Sequence, residues 1–474
     1  MFPKPPNGPD LVVVRTLPMV LLPISDDRRF HTYRLSFQTI NTHFTCHMSV
    51  SKDFTIAIIG GGIAGLTLGI ALHQRSIPVH IYEKAHHFGE IGAGVSFSSN
   101  AIDAMHVCHG GVHAAFARVA TLNAWLSKST VWFDYYDGMK SGASPEGSQK
   151  LFSITTPVGQ NGLHRADFLD ELVKLFPAEK AHFGKNFEEV SEGTDGKLVL
   201  KFADGTTAEA DAVVGCDGIH SRVRRMVLGA DHPSVEPVYT RKYAYRGAAP
   251  MDEAVAAIGE EKAKNAAFYL GNKGHVLTFA MKGGAQMNIV AFHDDPEPWT
   301  DTVHLTKWST QGAALKDFED FGPDVKKILG LTPPELNVWA IFDMGNPLPT
   351  FTKGRLVLTG DAAHATSPHH GSGAGFAIED SAVLAELLAD ERVKTPEDIE
   401  VVFSAFNDVR LKRDHWLVKS SRFVGDCVEG MNPDIGMDWE KFHQEMVQRY
   451  DVVMGIDISK QAQLAKDNLH KRLA

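Results

Sequence analysis

The stretch Phe54-Thr-Ile-Ala-Ile-Ile-Gly60-Gly-Gly62-Ile-Ala-Gly65-Leu66 decides the fold. Its apolar run reads as a strand buried on both faces. It leads straight into glycines spaced G-x-G-x-x-G at Gly60, Gly62 and Gly65. The first allows a tight turn, the second lets backbone approach a pyrophosphate, and the third lets the next helix pack close to the strand. That helix starts near Ile63 and aims its N–H groups and positive dipole end at the phosphates. A second short strand, Ser76-Ile-Pro-Val-His-Ile-Tyr-Glu83, ends in an acid 18 residues after Gly65. An acid so placed accepts hydrogen bonds from a ribose. The plainer reading, a strand–turn–helix with a surface glutamate, leaves the order of these five pieces without a reason.

Working outward, the 474 residues suggest two or three structural units. A hydrophobic share of 43% and a charged share of 22% are ordinary for a soluble globular protein. The net charge of −11 argues against a nucleic-acid-binding surface. Cys46, Cys108, Cys216 and Cys427 are scattered with no C-x-x-C pair, the pattern of a reducing compartment. No apolar run is long enough to span a membrane. Residues 1–47 look foreign to the rest: Pro18 and Pro23 break their apolar patch and Arg15 interrupts it. They are expected to be a poorly ordered extension, with Met48 a sufficient start. Their deletion should leave fold and activity intact, and loss of soluble protein would refute this.

Gly92-Ala-Gly94-Val-Ser-Phe-Ser-Ser-Asn100 offers small residues where backbone meets something large and flat, and a helix follows from about Asn100. His106, Cys108, His109 and His113 could suggest a metal site. Two adjacent glycines and the absence of a second cluster argue against it, so no metal is expected. Residues 121–160 read as strands with a polar loop. Phe168, Leu169, Leu172, Val173 and Leu175 mark an amphipathic helix with Arg165 at its start, where a cation implies an anionic partner. Residues 198–203 and 207–214 read as a hairpin about Ala203-Asp-Gly205. Its second strand ends in Gly215-Cys-Asp217-Gly218, placing Asp217 at the carboxyl end of a sheet.

From about 226 the pattern changes to strands, with helices expected around 252–259 and 310–331. It then returns to a buried strand ending Gly360-Asp361. The glycine-rich loop Ser367-Pro-His369-His370-Gly371-Ser-Gly373-Ala374-Gly375 enters a long helix, and helices fill the remainder.

Taken together, Gly60–Gly65 with Glu83, Gly215-Cys-Asp217-Gly218, Gly360-Asp361 and Arg165 resemble the single-component FAD-dependent aromatic hydroxylases over roughly residues 52–425. The salicylate hydroxylase-like branch, with its fungal phenolic-polyketide hydroxylases, is nearest. The resemblance implies an α/β fold: a discontinuous Rossmann-like FAD domain (48–125, 150–225 and 340–400), a β-sheet substrate domain (126–149 and 226–339) and a C-terminal helical region (401–474). It implies that Glu83 binds the adenosine ribose, that Arg165 lies along the FAD, that Asp361 holds the ribityl chain, and that the Asp217 segment serves FAD and pyridine nucleotide. Backbone at Gly94, Gly373, Ala374 and Gly375 would approach the cofactor. The N-terminus of the long helix would stabilise negative charge on a reduced flavin. NADPH or NADH would dock transiently and dioxygen would supply the oxygen atom.

The expected catalytic residues are Arg246, for holding substrate phenolate, and His369 and His370, beside the ring. A tyrosine of the dearomatising relatives falls at Phe279, which cannot donate a hydrogen bond. This favours ortho-hydroxylation, or conversion of salicylate to catechol with decarboxylation. Tyr269 substitutes only if the register is shifted. The expected partners are a small aromatic substrate and dioxygen, with no nucleic acid and no stable membrane insertion; a homodimer is allowed for, and the location is cytoplasmic. The rivals are a polyketide-derived phenol or hydroxynicotinate as substrate, an NAD-linked dehydrogenase, and a non-catalytic FAD- or NAD-binding protein.

Overall fold

In the computed structural model the described residues are 52–89, 94–139, 147–301 and 304–474, with the isolated positions 141, 143 and 144. The extension 1–47, Met48 and Gly92 lie outside them.

Strand Ile56–Ile59 is buried along its whole length and lies inside a six-stranded sheet. On one side it pairs in parallel with Val79–Tyr82, which pairs with Ala181–His182. On the other it pairs with Ala212–Gly215, which pairs in parallel with Leu356–Leu358. Thr352–Lys353 closes that edge antiparallel. A parallel sheet needs helices on its faces, which is why its strands read as unbroken apolar runs. Helices Ile63–Gln74, Ser99–Cys108 and Gly373–Leu388 pack together over this sheet, and their buried aliphatic residues join it in one core.

A second sheet has eight strands, in the order Thr306–Thr310, Glu335–Asp343, Val238–Pro250, Gln286–Asp294, Gly274–Met281, Ala267–Leu270, Val131–Asp137, Lys150–Thr155. Neighbours are antiparallel except Ala267–Leu270 with Val131–Asp137. One face, with Tyr245, Tyr269, Val276 and Ile289, packs on helices Met251–Ile258, Gln311–Asp317 and Pro323–Gly330. The opposite face turns toward the candidate site. Three helices follow: Asp398–Val428, Trp439–Met454 and Ile458–Leu473.

Two expectations are corrected. The hairpin is Leu198–Phe202 with Thr207–Ala210, joined by Phe187–Glu192 in a small sheet of its own. Ala212–Gly215 leaves that sheet for the parallel one. Asp211 marks the break, its Oδ2 accepting from Thr55 N at 2.7 Å. The boundary set at 400/401 falls within helix Asp398–Val428, so the chain has no structural break there.

Candidate functional site

The glycine turn is built by contact rather than by flexibility alone. Gly60 has φ +102°, and a Cβ there would lie 2.3 Å from the Cys216 carbonyl oxygen. A Cβ on Gly65 would lie 2.0 Å from the Gly60 carbonyl oxygen. These two glycines therefore let the first helix close onto the turn and the turn close onto the Cys216 segment. Glu83 holds the turn from the side: Oε2 accepts from Gly61 N at 2.7 Å and Oε1 from Ala85 N at 2.8 Å. Each carboxylate oxygen keeps a further lone pair for a hydroxyl.

The second and third motifs are joined by Arg224, a fully buried residue. Its Nε donates to the Val235 carbonyl at 2.8 Å, Nη1 to the Ala362 carbonyl at 2.9 Å, and Nη2 to the Ile219 carbonyl. The backbone beside Asp361 is thus tied to the backbone beside Gly218. Asp217 does not face the cavity. Its carboxylate accepts from Ser221 Oγ at 2.5 Å and from the Arg222 and Val223 N–H groups at 2.7 and 3.2 Å. It caps helix Arg222–Leu228, while Cys216 and Gly218 on either side line the cavity.

One cavity runs from this turn to the eight-stranded sheet. Gly62, Ile63 and Ala64, Ser372, Gly373 and Ala374, and Gly94, Arg165 and Asp361 all line it. Both helix N-termini, after Gly62 and after Ser372, lack a capping side chain. Each presents unsatisfied N–H groups and a positive dipole end to the same space. Gly375 faces away; a Cβ there would be 2.9 Å from Ala101 Cβ, so it sets helix packing instead.

The sheet supplies the other wall. Pairing aligns Phe268 with Leu277, Leu277 with Val290, and Val290 with Arg246. All four line the cavity. A row of apolar side chains therefore ends in a guanidinium, as cross-strand neighbours on one face. Arg246 lies 5.0 Å from the Trp339 ring centroid, and its Nε has no partner. Burial, helped by the nearby Arg165 charge, lowers its pKa to about 10, so it stays charged at neutral pH. Phe279 lines the same wall against Gly94 and Gly162. Tyr269 cannot replace it: strand alternation turns Tyr269 into the opposite core, where its hydroxyl is unpartnered.

His369 and His370 line the cavity and are buried. Burial, reinforced by the neighbouring His275, holds His369 neutral, well below the usual range. Burial and the Arg449 charge push His370 down to about 3. His370 Nε2 lies 2.8 Å from Ser420 Oγ, which also accepts from Arg449 Nη1 at 2.8 Å. Tyr450 on helix Trp439–Met454 reaches the same cavity and accepts from Trp132 Nε1 at 3.0 Å. Sequence reading missed both aromatics, because neither belongs to a local motif.

Behind the Gly360 turn lies a buried ionic set that sequence reading also missed. Asp380 Oδ2 accepts from Gly360 N at 2.9 Å and lies 2.7 Å from His364 Nε2. Arg410 bonds Asp380, Glu379 and Asp414. His106, Cys108, His109 and His113 do not converge on one point. His109 caps its own helix by accepting from Gly111 N, and Cys108 faces the Ile378 carbonyl. Among the described residues, the sets that could hold a metal ion are His275, His369 and Glu429, and His364, Asp380 and Asp414.

The arrangement fits an elongated ligand with an anionic diphosphate at the first helix and a flat ring against the second. FAD has both parts. Residues 53–394 match the family described as FAD binding domain. The chain is 43% identical over 425 residues, 86% of its length, to a dual trans-enoyl reductase/FAD-dependent monooxygenase of Aspergillus terreus, and it spans 60% of that protein. It is 42% identical over 430 residues to an FAD-dependent monooxygenase of Monascus ruber, covering 88% of this chain and 97% of that one. It is 39% identical over 420 residues to a 6-methylsalicylate 1-monooxygenase of Aspergillus terreus, covering 87% and 92%. A solved salicylate hydroxylase substrate complex superposes with a TM-score of 0.76 at 32% identity, over 87% of this chain and 98% of that one.

Proposed function

The chain belongs to the FAD binding domain family and is an FAD-dependent monooxygenase, and from that premise we propose that it hydroxylates a phenolic acid of the salicylate class with NADPH or NADH as reductant. The observation that carries this reading is the row Phe268, Leu277, Val290 and Arg246 on one cavity wall. An aromatic ring lies along the apolar part of the row, and its anionic oxygen meets Arg246. A guanidinium there favours phenolate over phenol, and the phenolate is the more nucleophilic form.

Bound FAD supplies the activation of dioxygen. The chain's own residues bind, orient and polarise. Gly62–Ala64 and Glu83 would hold the diphosphate and the ribose of FAD. Arg165 would lie along it, and Asp361 would take a ribityl hydroxyl. The N–H groups at Gly373 and Ala374 would stabilise negative charge on its ring. Phe279 gives contact and excludes water without competing for the phenolate oxygen. His369 and His370, both neutral, border the ring without adding a second fixed charge.

The test is NADPH and NADH oxidation by the yellow protein, with and without salicylate, followed by product analysis. Salicylate-dependent oxidation that yields catechol supports hydroxylation with decarboxylation. Absence of stimulation overturns the salicylate reading and favours a larger phenol from a secondary pathway. One observation favours that second reading: Trp132, Phe133 and Tyr450 also line the cavity, an apolar surface suited to a hydrophobic substituent.

A further inference from the structure

Strand Val131–Asp137 breaks its regular alternation at one residue. Val131 pairs with Thr155 and Phe133 with Ile154, so Trp132 is an extra residue, a β-bulge. Along a regular strand Trp132 would face the same way as Tyr136, which packs in the core opposite the cavity. The bulge turns it instead to the side of Phe133 and Tyr135. Trp132 and Phe133, neighbours in the chain, therefore both line the cavity.

The turned indole meets a residue from the far end of the chain. Phe442, Met446 and Tyr450 recur every four residues along helix Trp439–Met454 and join the same aromatic cluster as Trp132. Trp132 Nε1 donates to Tyr450 Oη at 3.0 Å, and both residues are buried. The Tyr450 ring meets His370 edge-on, with centroids 5.6 Å apart. Beside it in the chain, Arg449 donates to Ser420 Oγ at 2.8 Å and lies 3.7 Å from the Phe423 ring centroid, both on helix Asp398–Val428. The bulged strand and two helices thus fix where the Tyr450 ring stands. Burial pushes its hydroxyl up to about 12, so this end of the cavity gains no charge from it.

We propose that Trp132 and Tyr450, locked together by this bond, form the end wall of the substrate site and set the length of the apolar substituent that the phenol carries para to its anionic oxygen. The proposal rests on the phenolic-substrate reading and adds a limit to it. The sheet sets the distance. The row Arg246, Val290, Leu277 and Phe268 crosses four strands. Phe133 follows on the fifth, its ring centroid 4.9 Å from that of Phe268. Four strand spacings of about 4.8 Å span roughly 19 Å. A single benzene ring with its oxygen at Arg246 occupies one end of that span. A chain pointing away from Arg246 runs along the apolar row and stops at Trp132 and Tyr450.

The experiment titrates the FAD-loaded enzyme with 4-alkylphenols and with 5-alkylsalicylates, methyl to octyl, both of which carry the chain para to the hydroxyl. The flavin spectrum reads binding, and NADPH or NADH oxidation reads kcat/KM. In wild type, affinity should rise about fourfold per methylene up to a limiting length. It should then fall at least tenfold over the next two carbons. Tyr450→Leu and Trp132→Phe should each move that limit to longer chains. The ratio of kcat/KM for the longest chain to that for methyl should rise at least tenfold. Lost stability alone lowers both values together and leaves their ratio unchanged. Trp132→Phe keeps an aromatic ring in the bulge and carries the test where Tyr450→Leu fails to fold. An unmoved limit in a folded, flavin-bound variant overturns the end wall and leaves the phenolic reading standing, as does a wild type that binds every chain through octyl without a limit. No flavin change with either series, at any length, overturns the substrate reading and the wall with it.

Discussion

Replacing Arg246 with alanine removes a charged hydrogen-bond donor from the end of an apolar row. A lost charge-assisted hydrogen bond costs about 1.5–3 kcal/mol. That predicts a fall in kcat/KM for the phenolic substrate of about 10- to 150-fold, with flavin content unchanged. Steady-state kinetics beside the flavin absorbance of the purified variant checks this, and unchanged turnover removes Arg246 from the mechanism. Gly60→Ala tests the turn. Its positive φ costs about 1–3 kcal/mol, and its Cβ would also strike the Cys216 carbonyl. Gly205→Ala is the control, with φ +80° and nothing within 4 Å. Thermal unfolding should fall further for Gly60→Ala, and only that variant should lose flavin. At this scale the glycine motif was legible because a turn is local. The row through Phe268, Leu277 and Val290 was not, because register between strands depends on pairing that no short window contains. Asp217 shows the same limit: its spacing marks the segment, while the neighbouring helix decides where its carboxylate turns.

Helices Gly373–Leu388 and Asp398–Val428 are joined by the buried set around Arg410. Burial pulls His364 down, but Asp414 and Asp380 outweigh it and raise it to about 9. Its folded value exceeds the ordinary 6.5, so its stabilisation is complete below about pH 6.5 and is lost as pH rises through about 9. Burial, with Asp380 adding to it, also raises Asp414, to about 7, so its own ionisation lowers stability across about pH 4 to 7, below the His364 window. Melting temperature should therefore drop between pH 6.5 and 9.5, by a stability loss of about 3 kcal/mol. Asp414→Asn should flatten that drop, and an equal drop in both proteins would refute the assignment. No hydropathy pattern announces such a set, since its members sit on separate helices and meet only after packing. The hairpin error has a similar origin. Residues 207–215 carry one continuous strand-like pattern, yet Asp211 hands the chain from one sheet to another.

The last two helices are part of the whole rather than an appendage. Phe442, Met446, Val453, Ile458 and Leu469 are buried, and each contributes about 1.5–3 kcal/mol by burial. Together they amount to roughly 10 kcal/mol, comparable with the ~5–15 kcal/mol net stability of a domain. Deleting residues 439–474 should therefore abolish soluble, flavin-binding protein, whereas a soluble yellow truncation would show that these helices are dispensable. The alternation of sheet types along the chain was legible because parallel and antiparallel strands carry different hydropathy patterns. The way the C-terminal helices bring Tyr450 to the cavity was not, since a helical pattern gives a face but no address.

Strand Ala212–Gly215 receives one of its two neighbours late: Leu356–Leu358 begins 141 positions after Gly215. At a synthesis rate of ~5–20 residues per second, the ribosome needs ~7–28 s to reach it. For that interval the nascent chain carries a bare apolar edge, while the eight-stranded sheet, itself rich in strands, is being made beside it. Wrong pairing during translation is thus the hazard this architecture creates. Recombinant yield should respond to the speed of translation and to chaperone supply more than to any change in the finished molecule's stability.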